Sequence, residues 1–186
     1  MKKKGLALVL ALTLLVVGVV AGTLAWLTAK SDVVTNTFTT SDIKVELKET
    51  TGTEYKMIPG YTISKDPKAT VLSGSEECYL FVKLEKSQNF DSFLTYEMAD
   101  GWELVSGETN VYFRKVLTAG IGTAYSVLKG DQITVKGEVT KAMMDDLTTE
   151  TLPKLTVTAY ASQLHKNATT EFTAAEAWAN VNPTNP

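Results

Sequence analysis

Past Ala25 the chain alternates apolar and polar residues with a period of two almost everywhere, the spacing of strands with one face buried. In "DIKVELKE" Ile43, Val45 and Leu47 fall on one face, and Lys44, Glu46 and Lys48 on the other. "ATVLS" is a short strand candidate, and "CYLFVKLEK" is a stronger one, β-branched and aromatic with Leu80, Val82 and Leu84 on one side. "GWELVSGETNVYFRKVL" reads as two strands around a Ser106-Gly107 turn. "DQITVKGEV" contributes Ile133 and Val135, and "PKLTVTAYASQL" sets Leu155, Val157, Ala159 and Ala161 on a single face. Pro59-Gly60 and Pro67 mark turns.

Two segments break the period. "TKAMMDDLTTE" predicts a short helix ended by Pro153. "TAAEAWANV" places Thr173 three residues before Glu176, a capping-box signature, and predicts a helix of about two turns. Seven or eight short strands with turn signals between them predict a mainly-β, jelly-roll-like antiparallel sandwich with one or two short helices.

The N-terminus follows a different rule. Lys2, Lys3 and Lys4 precede an uncharged run from Gly5 to Leu27, the layout of a signal-peptide helix. Small or tolerated residues allow cleavage after Ala21 or Ala25. The run also has the length of a spanning helix, about 20 residues, so a retained anchor competes. Gly18, Gly22 and Thr23 dilute its end and favour cleavage. The expected organisation is a signal peptide over 1–25, an extended segment over 26–40 and a β domain over 41–186, with cleavage at Ala25 or Trp26.

Composition narrows the function classes. Removing the three lysines takes the formal charge from −3 to −6, and Arg114 is the only arginine, so a nucleic-acid partner is not expected. The one cysteine, Cys78, follows Glu76-Glu77 and opens an apolar strand, which suits a buried thiol. The one histidine, His165, has no HExxH context and reads as a solvent-facing strand end. Asp145, Asp146 and Glu150 lack the alternating spacing of a calcium loop, so no metal and no cofactor are expected. Asn167-Ala168-Thr169 matches a glycosylation sequon. Tyr96, Trp102, Tyr112 and Phe113 could line a carbohydrate-binding surface, but aromatics at strand spacing more often pack in the core, which is the expectation here.

The junction "GTLAWLTAKSDVVTNTFTTSDIKVEL" carries a resemblance. Its small pair Gly22-Thr23, then Ala25-Trp26, Thr35, Asn36, Thr37, Phe38, Ser41, Ile43, Val45 and Leu47 resemble the pattern of the TasA/camelysin family, exported proteins of Gram-positive bacteria processed by the dedicated signal peptidase SipW. "MIPGYTISKDPKATVLSGSEECYLFVKLE" and "LTVTAYASQ" followed by "TAAEAWANV" are similar to later parts of that pattern. The resemblance implies a secreted jelly-roll subunit of biofilm-matrix fibres at the cell surface, partnered by itself or related subunits and by a possible anchoring protein. It also implies that each N-terminal segment completes a neighbour's sheet. The residues expected in that donated strand are Leu27, Val33, Val34, Thr35, Asn36, Thr37 and Phe38. The segment is rich in β-branched residues, has only Lys30 and Asp32 as charges, and contains no proline to break a ladder. The other reading of this stretch is the first strand of its own domain. A camelysin-like surface metalloprotease and a monomeric adhesin or carbohydrate-binding module are the alternative functions, and the expectation is a non-enzyme.

Overall fold

The computed structural model describes residues 42–52 and 55–182, which belong to one compact unit. They form a mainly-β antiparallel sandwich with short helices. Twelve strands run β1 (Val45–Lys48), β2 (Thr62–Ser64), β3 (Lys68–Val71), β4 (Cys78–Lys86), β5 (Leu94–Thr95), β6 (Glu103–Leu104), β7 (Val111–Val116), β8 (Ala124–Ser126), β9 (Gln132–Val135), β10 (Leu155–Gln163), β11 (His165–Asn167) and β12 (Thr170–Glu171). Three helices accompany them: α1 (Phe90–Phe93), α2 (Lys141–Asp145) and α3 (Ala174–Val181). The expected signal-peptide helix falls outside the described residues.

One layer is the sheet β10-β4-β7-β6, and the facing layer is made of β1-β3-β8 and β2-β9-β5. The last two are one ribbon interrupted once. Between the β3·β8 and β2·β9 ladders, Val127 N–H donates to the Pro67 carbonyl at 2.9 Å and Lys65 N–H to the Asp131 carbonyl at 2.8 Å. Pro67 has no N–H to give, and on the other strand Gly130 (φ 66°) and Asp131 (φ 52°), the latter opposite Lys65, turn through the left-handed region, so regular pairing stops there. With 62–71 and 124–135 each taken as one strand, the layers read 8-3-6-5 and 1-2-7-4 in chain order, the circular order of a jelly roll.

The inner faces make the main core. Cys78, Leu80, Val82 and Leu84 of β4 meet Ala69, Val71, Val127, Ile133 and Val135 of the facing layer, with Phe90, Phe93 and Leu94 at one end. The inward set of β10 (Leu155, Val157, Ala159 and Ala161) packs on the same core, as its period predicts. The other face of β4 is also covered. Tyr79 and Phe81 join Val105, Val111, Leu164 and Trp178 in a second core beneath α3. Phe81 and Tyr160 lie 5.4 and 5.2 Å from the Trp178 ring, the latter edge-on, and Trp178 Nε1 donates to Glu108 at 2.8 Å.

One expectation needs correction. The helix expected to run to Pro153 stops at Asp145, because Thr148 and Thr151 take up local side-chain bonds instead, Thr148 N–H donating to Thr151 Oγ1 at 2.8 Å. The four aromatics pack on the cores, as expected, and do not share one surface. Trp102, Tyr96 and Tyr112 pack on the main core and Phe113 on the second.

Candidate assembly edge

The residues expected at the cleavage site (Ala25, Trp26) and in the donated strand (Leu27, Val33, Val34, Thr35, Asn36, Thr37, Phe38) lie outside the described residues. The described residues do contain a sheet edge without a ladder partner among them.

That edge is β10. Its nine residues pair with β4 without a register shift, from Leu155 opposite Lys86 to Gln163 opposite Cys78. Among the described residues β10 has no partner on its other side. β1 lies beside it but forms its ladder with β3 instead. Among the described residues the circle of strands is thus unpaired at a seam between β10 and β1, as it also is between β6 and β5. Outer strands usually carry a lysine, a proline or a bulge that blocks further pairing. "LTVTAYASQ" has no charge and no proline, and its register is unbroken; Pro153, Lys154 and His165 stand just beyond its ends. Threonine, valine and tyrosine favour the extended backbone, and the odd-numbered side chains anchor the strand in the core.

A cavity of about 410 Å³ opens where the seam meets α3, lined by Ile43, Ala161, Ser162, Gln163, Asn180 and Val181. Two elements hold its walls. The capping box of α3 is complete, with Thr173 Oγ1 accepting from Glu176 N–H and Glu176 accepting from Thr173 N–H at 2.8 Å. The salt bridge from Lys166 (2.6 Å) and those Thr173 bonds hold the Glu176 carboxyl down at about 2. Ile43 reaches the cavity from the residues just before β1.

The candidate chemistry is dispersed. Cys78 is fully buried, and burial pushes its thiol up to about 11. His165 is half exposed, with Nε2 3.5 Å from Glu77. Bonds from the Thr118 N–H and hydroxyl lower the Glu77 carboxyl below its ordinary value, with His165 adding to the effect. Asp145 is paired with Lys141. Asn167 Oδ1 accepts from the Thr169 N–H and hydroxyl, closing a tight turn between β11 and β12. Among the described residues no group of three or more His, Cys, Asp or Glu is placed to hold a metal ion, and no helix is long and apolar enough to cross a membrane.

Comparison of the chain with protein-family models, with curated proteins and with solved structures returns no match. The edge was not singled out from sequence, although its signal is there. β1 and β4 carry Glu46, Lys48, Lys83, Glu85 and Lys86, whereas β10 is the one long strand without a charge.

Proposed function

We propose that this protein is a secreted structural subunit of extracellular fibres, polymerising head to tail by donating its N-terminal strand to the β10 edge of the next subunit. The observation that carries this reading is the β10 edge, uncharged, unbulged and without a second ladder partner among the described residues, in a chain whose segment 27–40 has strand composition. An added strand gains a main-chain ladder along the edge, and its alternate side chains select register. Donation and acceptance use different surfaces, so the contact does not close on itself and extends into a filament. Phe38 offers the largest apolar side chain in the segment; burying it contributes roughly 1.5–3 kcal/mol per contact. Export by a dedicated signal peptidase and a place at the cell surface or in the matrix belong to the same proposal, as the junction's resemblance to the TasA/camelysin family implies.

Neither Cys78 nor His165 has a role in this reading. Electron microscopy of the protein cleaved near Trp26 tests it. Fibres should form, and they should persist in His165→Ala. A protein that stays monomeric under all conditions and degrades casein in a chelator-sensitive manner would instead support the protease reading.

A further inference from the structure

Arg114 stands on β7 opposite Leu80, so its side chain enters from the main-core side of the sheet. Its Cζ lies 3.7 Å from the centroid of the Tyr125 ring and 5.3 Å from that of Trp102. Both rings are fixed: Tyr125 donates its hydroxyl to the Gly120 carbonyl at 3.1 Å, and Trp102 Nε1 donates to the Ser126 carbonyl at 2.8 Å. Gly101 closes a third side. A Cβ there would stand 2.8 Å from Nη2, and the backbone φ of +84° also disfavours any side chain. The chain thus holds its single arginine in a fixed aromatic slot.

That guanidinium makes no hydrogen bond or ion pair among the described residues, and its Nε is buried without an acceptor. Lysines such as Lys65, Lys115 and Lys129 each meet a carboxylate within 3 Å. Ring stacking does not replace such a partner. The N–H bonds of a guanidinium lie in its own plane, so donors that do not point at a ring face still call for an acceptor. Burial without a counter-charge lowers the arginine's pKa, which marks the cation as uncompensated.

We propose that Arg114 is the centre of an anion-binding site that takes a carboxylate. A flat two-oxygen anion matches the planar fork of guanidinium donors. A single charge matches the single cation, since among the described residues no lysine lies over the Trp102 or Tyr125 ring beside it. Lysine at this position would keep the charge and lose the fork. The carboxylate can come from a free organic acid or from an acidic side chain of a second copy, and the site does not depend on strand donation.

Because the chain has one arginine, its side-chain Nε–H gives a single signal in the nitrogen-proton spectrum of labelled wild-type protein. Acetate is titrated against chloride at constant ionic strength, following that signal and the Trp102 indole. The expected result is a saturating shift of both with acetate and none with chloride, lost in Arg114→Lys. A dilution series without acetate separates the sources: movement on dilution identifies a neighbouring copy's carboxylate, and a constant position a free acid. No shift in acetate, an equal shift in chloride, or an unchanged acetate response in Arg114→Lys overturns the proposal and leaves Arg114 as a packing element.

Discussion

Cys78 opens β4 with no exposed surface, and its thiol is held near 11. At mildly alkaline pH the folded protein should therefore resist alkylation, and labelling should appear only on unfolding, as mass spectrometry would record. Prompt labelling of the folded protein would mean that β4 opens readily. Trp178 sits at the other side of the same strand, 4% exposed against Phe81 and Tyr160. Trp178→Ala should cost about 3–5 kcal/mol in denaturant unfolding. A loss under about 1 kcal/mol would indicate that the second core is not formed. Of these two residues, only Cys78 was legible in sequence, through the alternation Cys78, Leu80, Val82, Leu84. Tyr79 and Phe81 occupy the face where that alternation leads one to expect solvent. What buries them is a helix nearly a hundred residues further on, and the β4 pattern carries no trace of it.

At the scale of elements, local chemistry was readable where it is self-contained. The capping box of α3 joins residues three apart, so it could be seen in "TAAE" and is present as expected. Thr173→Ala should remove about 0.5–2 kcal/mol. Glu176 adds a pH dependence whose sign is set by its depressed carboxyl. Its contribution is present above the ordinary value of 4.5 and is lost as pH falls through about 2. Melting temperature should fall across that window, and fall less in Glu176→Gln; parallel curves for the two proteins would show that the box does not contribute. Asp66 and Glu77, both lowered chiefly by hydrogen bonds from threonines, act in the same direction. Elements that rest on distant partners were not readable. α1 is one turn, β5 and β8 are two and three residues, and the β11–β12 hairpin is pinned by Tyr79, whose hydroxyl donates to the Phe172 carbonyl at 2.9 Å. Such short pieces carry too few positions to show a period.

At the scale of the whole molecule, the proposed fibre contact rests on the seam between β10 and β1, where the described residues leave β10 without a second ladder partner. Completing the seam from outside requires a segment able to donate at each ladder position. Val34→Pro or Thr35→Pro should therefore yield folded monomers that do not extend fibres, by circular dichroism and electron microscopy. The sandwich and its inward residues could be anticipated from periodicity, because burial of one face writes itself into each strand. The open edge could not be found in the same way, because which strand is outermost depends on the order of pairing, and alternation says nothing about order. The most direct measurement is a cross-link between two differently tagged chains mixed during assembly. One carries Asn36→Cys in the proposed donor segment and the other Thr158→Cys in β10, with the buried Cys78 left in place. Donation predicts an oxidation-dependent heterodimer joining the two tags within fibres. Disulfide formation only when both substitutions sit in one chain, in monomer as in fibre, would place the segment in its own sheet and contradict the account.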